Sequence, residues 1–286
     1  MSWKLKFETL SKKHLIAIAI VFVLFAALAF GFIESEKYKL EVHESHFAFF
    51  NDGNSPLKIV HLSDFQSAHK NPEYMKKIIS LSNAQNADLI VITGDLVEGF
   101  EGSEIVSDLS GLSAKYGVYA ILGNHDYRYW RACPPSGENV RYTNELGGHL
   151  ENLNITLLRN ENAGLNISGR KFYLAGLDDS LVCMDDYDAA VLGIEGRDKI
   201  VLLHEPAKAN HILFEGKNFV LSGHTHCGQV YVPYVSELFL GIFGFGNVAG
   251  GHVQIDGENQ QFISCGLDPG IVRLFNPNTI DVLYLN

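Results

Sequence analysis

Cysteine, proline and positive charge are all scarce in this chain. Four Cys in 286 residues are too few for a disulfide scaffold, and no two of them form a C-x-x-C pair. Eight Pro beside 27 Gly exclude a collagen-like or linker composition, while 47% apolar and 19% charged residues exclude a disordered chain. With 22 basic against 33 acidic side chains the net charge is −11, and a general nucleic-acid binder, which needs a basic face for phosphates, is excluded. Neither a fixed-period repeat nor a low-complexity tract is present, and no G-x-S-x-G marks a serine nucleophile. The length suits one large domain or two small ones.

The charge is unevenly placed. Residues 1–14 carry Lys4, Lys6, Lys12 and Lys13 against Glu8, residues 15–33 carry none, and the remainder sums to −14. Leu15 to Ile33, LIAIAIVFVLFAALAFGFI, is apolar or Gly throughout. As a helix it would span about 28 Å, close to a bilayer's hydrocarbon thickness. The segment is therefore expected to be a single transmembrane anchor. Lysines before it and acids after it place residues 1–14 in the cytoplasm and the rest outside. Ala27-Leu28-Ala29 has the small-x-small form of a signal-peptidase site, so cleavage after export is the competing expectation.

Residues 34–52 are expected to connect the anchor to a domain at 53–286, with one strand near Glu41–Phe50. From Leu57 onward, strands at 57–62, 88–93 and 117–122 alternate with helices opening at Asn71-Pro72 and Ser103. That spacing calls for a largely parallel sheet covered by helices. The second half is richer in strands, with 155–158, 165–167 and 171–175 expected as a meander, then runs at 199–203, 218–221, 253–255, 261–264 and 280–285. The expected fold is α/β, two mixed sheets packed face to face with flanking helices.

Polar residues of one chemical kind follow five of these strands: Ser63-Asp64-Phe65-Gln66, Gly94-Asp95, Gly123-Asn124-His125-Asp126, His204-Glu205 and Gly223-His224-Thr225-His226. Sites in α/β sheets form beyond the carboxyl ends of strands. Asp, Asp, Asn, His and His-x-His brought to one edge make an oxygen-and-imidazole cage suited to two divalent cations bridged by a carboxylate. Any one of these residues alone would be an ordinary turn, cap or surface residue.

Taken in order, SDFQ, GDLV, GNHD, LHEP and GHTH resemble the calcineurin-like metallophosphoesterases, whose pattern runs D-x-H, GD, GNH-[DE], H, GHxH. The stretches GHTHCGQVYVP and FISCGLDPGIVRLF look like the bacterial membrane-anchored branch, which includes UDP-2,3-diacylglucosamine hydrolases. The resemblance implies that Asp64, Gln66 and His226 hold one metal, that Asn124, His204 and His224 hold the other, and that Asp95 bridges them. It implies His125 as the histidine that contacts the phosphoryl group and protonates the leaving oxygen, oriented by Asp126 or Glu98. Two cations would neutralise phosphate charge and acidify water, and free imidazole titrates near neutral pH, as a general acid requires. Gln66 departs from the family's His. An amide oxygen is a harder and weaker donor than imidazole, so Mn²⁺ is expected ahead of Mg²⁺, Fe or Zn²⁺. His69 is the alternative donor if the loop folds back, and His61 reads as a strand residue. Glu98 stands where purple acid phosphatases carry a ligand tyrosine, which disfavours that branch.

The implied function is phosphodiester, pyrophosphate or phosphomonoester hydrolysis of a phosphorylated small molecule or lipid, with UDP-2,3-diacylglucosamine as one candidate. An extracytoplasmic domain fits that cytoplasmic substrate poorly. A periplasmic phosphodiesterase or phosphatase, or a non-catalytic metal-site scaffold, are the alternatives. ELFLGIFGFG at 237–246 reads as core packing or an apolar lid. Cys227 reads as a bystander to the metal motif, and spacing assigns no disulfide. Asn154-Ile-Thr156 and Asn166-Ile-Ser168 match glycosylation sequons, meaningful only in a eukaryotic secretory pathway.

Overall fold

Strands buried on both faces read as continuous apolar runs, and the computed structural model shows this in LKIVHL. Ile59 points into one apolar layer and Val60 and Leu62 into another. The structure describes residues 12–98, 103–128, 133–230, 251–270 and 272–286. Twelve strands are described: β1 (Leu40–Phe47), β2 (Leu57–Leu62), β3 (Leu89–Thr93), β4 (Val118–Ile121), β5 (Ile155–Leu157), β6 (Glu161–Ile167), β7 (Arg170–Gly176), β8 (Lys199–Leu202), β9 (Asn218–Ser222), β10 (Gly251–Asp256), β11 (Asn259–Ile263) and β12 (Asn278–Leu285). They form two six-stranded sheets, ordered β1-β12-β2-β3-β4-β5 and β10-β11-β9-β8-β7-β6. In the first sheet β2 to β5 are mutually parallel, and in the second β7, β8, β9 and β11 are. Phe47, Ile59, Val91, Leu174, Leu202, Phe219 and Leu283 fill the layer between the sheets.

Helices α2 (Pro72–Ala84) and α3 (Gly137–Asn152) cover the outer face of the first sheet, burying Met75, Ile78, Leu146 and Leu150. Asn71 caps α2 by accepting from the Tyr74 amide, with Pro72 in the first turn. A short α4 (Tyr187–Ala190) sits by the second sheet, against β6.

Several expectations are corrected. Residues 103–111 form 3-10 turns and not an α-helix. Helix α3 was not anticipated, although Ser136 caps it and Tyr142, Leu146 and Leu150 recur at helical spacing. The expected meander is split: β5 pairs with β4 in the first sheet, while β6 and β7 form a hairpin in the second. Residues 40–47, read as part of the connection, pair along their whole length with β12 and belong to the first sheet.

N-terminal to β1 runs α1 (Lys12–Lys37), 26 residues with Phe22, Phe25, Leu28 and Phe30 exposed. The side chains of residues 12–14, 17 and 35 lie outside those described, and among the described residues no helix is long and apolar enough to cross a membrane. The 237–246 segment lies outside the described residues.

Asp281 on β12 is a buried acid accepting from Ser264 Oγ (2.6 Å) and Thr279 Oγ1 (3.1 Å). Burial pushes its carboxyl up to about 6. The unfolded chain loses that proton near pH 4, so folded stability falls as pH rises from about 4 to 6. Asp281→Asn is therefore expected to raise stability by about 2 kcal/mol at pH 8 and not at pH 4, read by thermal denaturation at both. An equal change at the two pH values would refute this assignment.

Candidate metal centre

The parallel strands β2, β3, β4, β8 and β9 all end at one edge, where the two sheets meet. Asp64, Asp95, Asn124, His204 and His224 lie two or three residues beyond them. Asp95 lies at the middle. Its Oδ2 is 3.2 Å from His204 Nε2 and accepts from Gln66 Nε2 at 2.6 Å, and its Oδ1 accepts the His125 amide at 2.9 Å. His224 Nδ1 is 3.1 Å from Asn124 Oδ1, and Asp95, His204 and His224 offer ligand atoms within 4.8 Å of one another. On the other side Asp64 accepts the His224 amide through both oxygens at 3.1 Å, with His226 Nε2 3.5 Å away.

This packing demands unusual backbone. Asp64, Gln66, Asp95, His224 and His226 all have positive φ, a cost of order 1–3 kcal/mol each for non-glycine residues. A Cβ on Gly94 would meet Gly123 N and His204 Nδ1 at 2.7 Å, so the strand-end loops touch because glycine is there.

Electrostatics follow from burial. Burial alone would lower the His204 pKa, yet the adjoining Asp95 carboxylate raises it well above the free value. Burial would raise Asp95, but His204, by charge and hydrogen bond, with His125 and His224 beside it, pulls it far down. His204 Nδ1 donates to Thr93 O (2.6 Å), which aims the Nε2 lone pair at Asp95 once the proton is gone. The charge that holds a proton there suits a cation equally.

The profile of the calcineurin-like phosphoesterase family matches residues 57–228, which contain all seven candidate ligands and more than half the chain. This chain is a calcineurin-like phosphoesterase. It is 34% identical over 211 residues to putative metallophosphoesterase F40B5.2 of Caenorhabditis elegans, covering 66% of this chain and 40% of that one. It is 28% identical to metallophosphoesterase YkuE of Bacillus subtilis, covering 74% and 73% of the two chains. It is 29% identical to phosphodiesterase YaeI of Escherichia coli, covering 70% and 71%. The chain thus spans two fifths of the nematode relative and nearly three quarters of the bacterial ones. The family is one of metal-dependent phosphoesterases with a dinuclear site.

Its residues fit two cations. His226 Nδ1 is buried with no hydrogen-bond partner, His204 Nε2 faces the Asp95 carboxylate at 3.2 Å, and the donor set is carboxylate, amide and imidazole. Gln66 donates through Nε2 to Asp95, and its amide must turn over to offer Oε1 to a cation. Replacing it by His is expected to improve Zn²⁺ over Mn²⁺ affinity by on the order of tenfold, read by competitive metal titration. His69 turns away, with Nε2 3.0 Å from Leu96 O and Nδ1 3.8 Å from Asp108. His61 is held by Thr93 Oγ1 at 2.8 Å, and burial lowers it to about 3, so it stays neutral.

Asp126 does not orient His125. Its oxygens accept the Val97 (3.0 Å) and Gly123 (2.8 Å) amides, tying two ligand loops together. The carboxylate beside His125 is Glu98, 3.7 Å from Nδ1.

Sequence reasoning missed three supports. Asp179, after β7, lies with Glu205 behind His204. Burial and the Glu205 charge keep Asp179 protonated, so it shares a proton with Glu205, which also accepts from Ser180 Oγ (2.8 Å). The signal was present, because LDDS follows a strand as the other motifs do. Arg273 and the Cys227–Cys265 disulfide, which hold the His226 loop, carried no local signal.

Proposed function

We propose that the chain is a phosphodiesterase tethered by α1 on the extracytoplasmic side of a membrane, acting on a lipid-linked phosphodiester. The observation that carries the chemistry is Asp95 set between His204 and Gln66, with Asp64 and His226 beyond. In this reading Asp64, Gln66, Asp95 and His226 hold one cation, and Asp95, Asn124, His204 and His224 the other. The cations, Mn²⁺ by preference at the Gln66 side, would neutralise the phosphate and acidify the attacking water. The chain's own part is positional. His204 keeps one tautomer through Thr93, the Asp95 oxygens stay clear of water, and Asp126 locks two loops together. His125, braced by Glu98, donates a proton to the departing alkoxide as the P–O bond breaks.

Placement outside the cytoplasm is supported by the lysines ahead of α1 and by two disulfides, Cys133–Cys183 and Cys227–Cys265, which persist in oxidising compartments. This placement favours a headgroup phosphodiester over UDP-2,3-diacylglucosamine.

The test is hydrolysis of bis-p-nitrophenyl phosphate by the Mn²⁺-loaded protein. An inactive preparation with both metals bound would sink the enzyme reading. His125→Ala is expected to keep its metals and lose about 10²–10⁴ in kcat, more with an alkoxide than with a nitrophenolate leaving group. Equal losses for both leaving groups would remove the general-acid role.

A further inference from the structure

Where α1 meets the catalytic domain, a groove of about 540 Å³ opens between its C-terminal turns and Pro269, Gly270 and Val272. Phe30, Ile33 and Val272 make it apolar, and Lys37 and Lys70 stand on its wall with Glu34, which is 3.9 Å from Lys37. Resting on the phosphodiesterase reading above, we propose that this groove is the acyl-chain subsite of the metal centre. Its occupant is an anionic glycerophospholipid whose phosphodiester reaches the metals.

Three observations carry this. First, the groove continues the exposed apolar surface of α1, since Phe25, Leu28 and Phe30 lie on the helix that leads into it. Its lysines begin where the uncharged run ends, which is headgroup depth for a helix of this length. A soluble nucleotide diester would have no use for that wall. Second, the groove backs onto the site. A Cβ on Gly270 would lie 3.0 Å from Gln229 Nε2 and 3.5 Å from Asp268 Oδ2, and Asp268 Oδ2 is 3.8 Å from His226 Nδ1. One side chain thus separates the groove lining from a proposed ligand. Third, α1 is fastened here. Asn278 Nδ2 donates to Lys37 O at 2.9 Å, the Phe32 and Phe275 rings are 6.2 Å apart, and Tyr38 packs edge-on to Tyr74 at 5.3 Å. Tyr74 in turn donates to Leu267 O, next to Asp268.

The test uses the full-length Mn²⁺-loaded protein in nonionic micelles and two substrates, methyl and dodecyl p-nitrophenyl phosphate, which share one leaving group. The readout is the ratio of kcat/KM for the long ester over the short one. Comparing that ratio between wild type and Val272→Glu cancels micellar partitioning. The ratio is expected to fall about tenfold or more, the worth of roughly two buried methylenes. Val272→Ala, a milder change, should move it the same way if the Glu variant does not fold. Independently, a dodecyl methyl phosphate with a diazirine at the chain end should label peptides containing residues 30–38 or 269–273. An unchanged ratio, or labelling confined to other peptides, overturns the subsite. Loss of turnover on both esters by metal-loaded wild type overturns the phosphodiesterase reading instead, while the photolabel still decides the groove.

Discussion

Asp95→Ala is expected to abolish hydrolysis, lowering kcat/KM by about 10³-fold or more, and to reduce bound metal from two ions per chain to one or fewer. Asp95 faces both halves of the site. Asp95 faces His204 at 3.2 Å and Gln66 at 2.6 Å and fixes the His125 amide at 2.9 Å. Its loss also removes the charge that raises the His204 pKa, so the pH dependence of residual metal binding should weaken. In wild type the raised His204 holds its proton to higher pH than free imidazole does. Metal affinity should therefore fall on acidification, beginning above the usual histidine range. Metal analysis beside kinetics separates this from His125→Ala, which should stay fully loaded. A scaffold protein would show little metal in either wild type or Asp95→Ala, and that result would overturn the catalytic assignment.

The second large effect is expected at Arg273, which touches no ligand side chain. It is fully buried and donates to the carbonyls of Asn276 (2.8 Å), Asp268 (2.9 Å) and Cys265 (2.5 Å), with the His226 and Pro277 carbonyls at 3.5 Å. Arg273→Leu leaves those acceptors buried without donors, at about 1–3 kcal/mol for each that water cannot reach. A total on the order of 4 kcal/mol should lower Tm by about 10 °C. The same change frees the loop that bears His226, which Asn276 also holds through the His226 and Cys227 carbonyls at 3.1 and 2.9 Å. Metal affinity on the Asp64 side should drop more than on the Asn124 side, visible as two separated steps in a Mn²⁺ titration. Lost stability with both metal affinities unchanged would make Arg273 purely a packing residue. Removing the Cys227–Cys265 bridge, which closes a 38-residue separation, should act in the same direction at about 3–4 kcal/mol.

Much of the candidate site was legible because each candidate ligand is local to a strand end. LKIVHL, DLIVIT and NFVLS announce buried strands, and the residues that follow them in the chain necessarily sit at the carboxyl edge. Gln66 was legible in the same way, as an amide where the family has imidazole. Asp126 was misread because chain proximity to His125 says nothing about side-chain direction. Its carboxylate turns back to two amides, while Glu98, 27 residues earlier, reaches the ring.

The sequence by itself determined the apolar N-terminal helix, the strand-and-ligand order, the acidic charge and hence the class of chemistry. These depend on periodicity, composition and spacing, which are properties of short stretches. Only the tertiary structure decided the rest. It placed β1 and β5 in the first sheet, paired Cys133 with Cys183 and Cys227 with Cys265, and put Asp179 and Glu205 behind His204. It also drew Arg273 under the His226 loop and brought the end of α1 against Pro269, Gly270 and Val272. Each of these joins residues far apart in the chain. Such contacts are selected by which surfaces and hydrogen-bonding groups remain unsatisfied once the sheets have formed, and no local pattern records that outcome.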